Sequence, residues 1–157
     1  MSNVRFEYLA DHLALLPQLA RLHFDEWGHL RPNETLEVRT LRLRNCCGRS
    51  SIPTVVVALE GDTLCGSAML IPHEVDDRPE LTPWLDGVYV VSAFRRRGLG
   101  AALVERIVAE ARTMGIHALY LYTPDAESLY SRLGWVAIER RQHRGEAVTV
   151  MSKQLVI

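Results

Sequence analysis

One stretch limits what this chain can fold into more than any other. It is an apolar, β-branched run that breaks into an arginine-glycine loop and resumes as an amphipathic helix. Residues 84–94 (WLDGVYVVSAF) read as a buried strand. Leu99, Leu103, Ile107, Ala111 and Met114, with Val104 and Val108 beside them, mark one face of a helix from about residue 101 to 114. Gly115 follows where a helix end favours positive φ. Between strand and helix lies Arg95-Arg96-Arg97-Gly98-Leu99-Gly100. The first amides of a helix lack partners and carry partial positive charge. Glycines let a bulky anion approach them, and arginines add charge-assisted hydrogen bonds. The loop is therefore predicted to hold a phosphate-bearing ligand, best matched by a pyrophosphate.

The rest of the chain narrows the ligand class. A length of 157 residues predicts a single domain over 1–157, and no repeats, low-complexity tracts or linkers interrupt it. The formal net charge is −1, whereas a general nucleic-acid binder is usually clearly basic. The arginine run thus reads as a local site, with no nucleic-acid partner expected. The dinucleotide pattern G-x-G-x-x-G fails because position 103 is leucine and the glycines lie several residues past the strand. Cys46, Cys47 and Cys65 have neither C-x-x-C nor zinc spacing, which predicts reduced thiols, a cytoplasmic location and no metal. No signal peptide or membrane span is expected.

In chain order, residues 4–9 read as a strand and Asp11 as a possible cap for the helix after it. Leu16, Leu19, Ala20, His23, Phe24 and Trp27 recur at helical spacing, with Gly28 as the stop. A weaker helix follows Pro32-Asn33 and runs to about Cys46. Residues 54–60 and 63–71 read as a hairpin turned at Gly61-Asp62, with a bulge or close backbone approach at Gly66. Residues 72–83 form an acidic, proline-bearing loop that reads as solvated surface or as a lid drawing a cationic amine. Residues 117–123 read as a strand. Thr123-Pro124-Asp125-Ala126-Glu127 reads as a helix start, and Gly134 as the helix end. Residues 135–141 and 147–154 read as closing strands.

This order, together with three motifs, resembles the GNAT (GCN5-related) N-acetyltransferase family. The motifs are the turn Glu60-Gly61-Asp62 with Gly66 beyond it, the R-x-x-G-x-G loop at 95–100, and Ala126-x-x-x-Tyr130-x-x-x-Gly134-Trp135. The likeness spans nearly the whole chain. It implies an α/β (α+β type) single-domain GNAT acyl-CoA N-acyltransferase fold, with a central mixed, mostly antiparallel sheet flanked by helices. One departure is Thr123, where many relatives carry asparagine.

The resemblance implies acetyl-CoA as cosubstrate and transfer of its acetyl group to a primary amine of a small molecule or peptide. Backbone groups of Val88, Tyr89 and Val90 would pair with the pantetheine arm like an added strand. Arg95, Arg96, Arg97, Gly98, Leu99, Gly100 and Ala101 would hold the pyrophosphate. Tyr130 is the candidate acid for the departing thiolate. Asp86, the only carboxylate in the central strand, is the candidate base. His73 and Tyr122 are candidates for the acceptor side. A homodimer is a possible assembly. A non-catalytic CoA-binding sensor on the same fold is the alternative function.

Overall fold

The computed structural model describes residues 3–156. Its strands are β1 (Val4–Tyr8), β2 (Thr54–Glu60), β3 (Thr63–Ile71), β4 (Trp84–Val90), β5 (Ala118–Thr123), β6 (Val136–His143) and β7 (Glu146–Gln154). Its α-helices are α1 (Leu16–Trp27), α2 (Leu36–Arg44), α3 (Leu99–Thr113) and α4 (Glu127–Arg132). The strands form one sheet in the order β1-β2-β3-β4-β5-β7-β6. Every neighbouring pair is antiparallel except β4 and β5. The expected mixed, mostly antiparallel sheet is therefore present.

The continuous apolar run of β2 is buried on both faces, as such runs require. Val55, Val57 and Leu59 join Leu16, Leu19 and Leu43 in a core beneath α1 and α2. Val56 and Ala58 face the opposite way, into a core with Leu103, Ile107 and Val108 of α3. A third cluster of Val75, Trp84 and Val150 sits under the loop that joins β3 to β4.

Two irregularities position the site. Ala58 pairs with Gly66 but Leu59 with Leu64, so Cys65 is an extra residue in β3. A Cβ on Gly66 would lie 2.6 Å from the Tyr89 carbonyl oxygen, so of the two alternatives expected at Gly66 the close backbone approach is present there, and the bulge falls one residue earlier. In the next pair, Ser67 faces Tyr89 while Met69 faces Asp86, which places an extra residue in β4 at Gly87-Val88. Gly87 has φ +60°, and a Cβ there would meet Met69 Sδ at 2.6 Å. Glycine alone fits both demands.

Several boundaries differ from the sequence reading. The central strand stops at Val90, because Ser92–Phe94 wind into a 3₁₀ turn. Helix α3 starts at Leu99, two residues early. Asp11 caps nothing and instead pairs with Arg49 at 2.6 Å. Thr123 does cap a turn, accepting from the Ala126 amide at 2.9 Å, but α4 begins only at Glu127 and Pro124 stays outside it. Gly28 is right-handed, and the chain continues past it as a 3₁₀ turn to Leu30. Among the described residues, no helix is long and apolar enough to cross a membrane.

Candidate active site

Strands β4 and β5 pair only at Trp84 and Tyr120. Beyond that point they splay, and both C-terminal ends open on the same side. Parallel strands that part in this way form the usual ligand crevice of an α/β sheet. A cleft of about 790 Å³ runs through the split. Asp86, Gly87 and Val88 line one lip, while Leu121, Thr123 and Tyr130 line the other.

At the end of β4, the loop at 95–101 behaves as an anion cradle. Arg96 (φ +66°) and Gly98 (φ +75°) both adopt left-handed backbone, a geometry that turns successive amides toward one concavity. Gly98 is the residue before the first turn of α3, whose first internal bond runs from Ala102 N to Gly98 O at 3.1 Å. Among the described residues, none of the amides of 96–101 donates to a protein acceptor. A Cβ on Gly98 would meet nothing within 4 Å, and one on Gly100 only Val90 at 3.7 Å. The approach to these amides is open.

The three arginines are exposed and have no carboxylate partner among the described residues. Arg95 stacks on Tyr89 at 5.6 Å and donates from Nε to the Val90 oxygen at 2.8 Å. Arg97 stacks on Phe94 at 5.4 Å. Val91 N donates to Cys65 O at 2.8 Å, so its main chain faces β3. Alternation along the strand then turns Val90 toward the split and Tyr89 toward β3, next to Gly66. The Val90 end of the strand therefore turns its edge toward the split, with its carbonyl already accepting from Arg95. Donors and strand edge together suit a long phosphate-tailed, amide-bearing ligand of the coenzyme A type.

Asp86 is ringed by protein except where it meets the cleft. Burial, then the nearby Glu74 carboxylate, push its carboxyl up to about 7. Glu74 is the residue that sequence reasoning missed. The 72–83 loop carries Val75 into the third core cluster, and Glu74 goes down with it. Arg144 of the β6–β7 turn donates to Glu74 at 2.9 Å, with Arg31 at 3.7 Å and His143 at 3.8 Å. These partners outweigh the burial and hold Glu74 below the usual carboxylate range. The only sequence signal was an apolar valine amid charged residues.

The same loop is pinned down. Arg78 bonds Glu139 at 2.7 Å, and Arg141 pairs with Asp77 at 2.9 Å. Arg141 thereby neutralises Asp77, while exposed Asp76 and Glu80 have no ion pair among the described residues.

Tyr130 is buried, stacks edge-on against Trp135 at 6.1 Å and lines the cleft. Its hydroxyl makes no hydrogen bond among the described residues, and burial pushes its pKa up to about 12. Tyr122 packs against His143 at 4.6 Å between ring centroids, and burial also raises its pKa. His73 is exposed on the rim. Behind Gly87, buried His23 meets Ser67 Oγ at 2.9 Å, and Ser67 donates to the Gly87 oxygen at 2.8 Å. Since Ser67 has one proton to give, Nε2 of His23 carries the other. Burial pulls His23 down to about 3, so it stays neutral. Among the described residues, no group of three His, Cys, Asp or Glu is placed to hold a metal.

This architecture, a sheet split between two parallel strands beside an open-amide loop, is the acyl-CoA-binding class of α/β fold. The acetyltransferase (GNAT) family model matches residues 16–135, and the chain belongs to that family. By that membership it is an acetyltransferase. An aminoglycoside 6′-acetyltransferase type Ii is similar at TM-score 0.76 and 20% identity, covering 98% of each chain. The yncA protein of Salmonella typhimurium, solved with acetyl-CoA, is similar at TM-score 0.73 and 20% identity, over 99% of this chain and 95% of that one. An aminoglycoside 6′-N-acetyltransferase complexed with coenzyme A is similar at TM-score 0.70 and 18% identity, over 92% of each. No curated protein matches.

Proposed function

We propose that this chain, as one catalytic domain, moves an acetyl group from acetyl-CoA to a primary amine by direct attack in a ternary complex. One observation carries the reading. Asp86 and Tyr130 line opposite lips of one cleft. A base and a donor on either side of a thioester are what direct aminolysis needs.

The amine must be neutral to attack. A lysine-like amine, pKa ~10.4, is neutral about once in a few thousand molecules at pH 7. Asp86, titrating near 7, is poised to take the proton as the nitrogen bonds to the acyl carbon. As the carbon–sulfur bond breaks, Tyr130 donates to the thiolate. Its high pKa keeps the donor proton in place at every working pH. The products are the amide and the free thiol, after which Asp86 and Tyr130 exchange protons with water.

Val88, Tyr89 and Val90 are assigned to the pantetheine arm. The Val90 edge supports this directly, and Tyr89 contributes through its stack with Arg95. Arg95 through Ala101 are assigned to the pyrophosphate, supported by six amides without protein acceptors. Tyr122 and His73 border the acceptor end. Two of the similar structures are aminoglycoside acetyltransferases, which supports an amine acceptor.

The test is acceptor-dependent thiol release from acetyl-CoA across an amine panel. Turnover with at least one amine is expected, falling about 100-fold or more in Asp86→Asn. Coenzyme A binding without turnover on any amine would favour the sensor reading instead.

A further inference from the structure

The acceptor end of the cleft carries exposed acids at its rim and arginines further in. Exposed Glu26, Asp76 and Asp125 border the rim. Inside, four arginines line or back the wall: Arg31 from the turn after α1, Arg39 and Arg42 from α2, and Arg144 from the last hairpin. Carboxylates hold three of them: Glu34 accepts from Arg39 and Arg42, and Glu74 from Arg144. Half-buried Glu146 also borders the cleft and pairs with none of the four.

Arg31 is the fourth. Its side chain makes no hydrogen bond among the described residues, and its nearest carboxylate is Glu74 at 3.7 Å, beyond hydrogen-bond reach. Burial, then repulsion from Arg42 and Arg144, press against its charge. Arg144 Nε is also buried without an acceptor. A half-buried guanidinium with a free fork of donors matches a planar carboxylate. A second cation would be repelled there.

We propose that the acceptor is a zwitterion of the amino-acid type, an amine with a carboxylate a few bonds away, whose carboxylate sits on Arg31 while its nitrogen faces Asp86. This rests on the acetyl-transfer reading above and specifies its substrate class. The acidic rim admits the ammonium end, and the arginine wall fixes the carboxylate. Aromatic surface from Trp27 and Tyr122 is left to meet the side chain. Attack then proceeds as described, with the amine proton passing to Asp86 and the thioester carbon–sulfur bond breaking.

The experiment compares alanine and phenylalanine with their amides, which keep the amine and lose the carboxylate, and with spermidine and kanamycin as polycations. The readout is kcat/KM for thiol release. The amides' amines are less basic, so a preference for the acids cannot come from amine protonation. At least a tenfold preference for the acids is expected, along with its disappearance through KM in Arg31→Gln and partial rescue in Arg31→Lys. Coenzyme A affinity of each variant reports folding, and the wild-type panel decides alone if a variant does not fold. Amides or polycations used as well as the acids would overturn the zwitterion while leaving acetyl transfer standing, as would a preference that survives Arg31→Gln. Absence of turnover with every amine would remove the acetyl-transfer reading itself.

Discussion

Arg144 donates to Glu74 at 2.9 Å across 70 positions of sequence. This one contact ties the tip of the β6–β7 hairpin to the loop before β4. It also keeps a negative charge beside Asp86, whose own carboxyl is raised by burial and by that charge.

Glu74→Gln therefore lowers the Asp86 pKa. The wild-type kcat profile is expected to rise through a limb near pH 7, because Asp86 accepts a proton only when ionised. In Glu74→Gln the limb moves toward lower pH. A profile of kcat against pH at saturating acceptor checks this, and an unmoved limb would separate Glu74 from the titration.

Tyr130→Phe is expected to cut kcat by about 100-fold, the lower end of the range for lost general acid catalysis. Its coenzyme A affinity should change by less than about twofold, since the hydroxyl bonds nothing else among the described residues. Stopped-flow turnover and calorimetric binding on one preparation separate the two effects.

Gly98→Val places a β-branched residue at φ +75° and projects it over the open amides. The left-handed backbone costs about 1–2 kcal/mol. Coenzyme A affinity should fall about tenfold or more, while dephospho-pantetheine fragments lacking the pyrophosphate lose much less. Equal loss for both ligands would argue against the loop as the phosphate cradle.

His23 gives stability a slope in acid. The folded chain keeps it neutral down to about 3, whereas the unfolded chain protonates it near 6.5. Its folded pKa is depressed, so protons favour the unfolded state between those values. Stability is full above about 6.5 and falls as pH drops through the window, by about 3 kcal/mol at pH 4.5. His23→Gln, which can still donate to Ser67, should flatten that part of the slope in urea titrations at pH 7 and pH 4.5.

The strand-loop-helix unit was readable in the sequence because every cue in it is local. Apolar periodicity marks α3, and the glycines mark the loop between strand and helix. Even there the strand end was overread by four residues, since Ser92–Phe94 are apolar enough to pass for strand while their backbone winds into a turn. Asp86 stood out as a lone carboxylate in a strand. Glu74 did not, because exposed and buried acids look alike in a loop. Its burial follows from Val75 docking against Trp84 and Val150, which lie 9 and 75 positions further on.

By itself the sequence determined the family, the order of elements, the turn that leaves amides open and the lone strand carboxylate, because periodicity, glycine placement and motif spacing act over a few residues. Only the tertiary structure decided which arginine of the acceptor wall is left without a carboxylate to bond. Arg31, Glu74 and Arg144 come from three separate turns, and the strength of charge pairing depends on distance and burial, neither of which is written in a linear order of side chains.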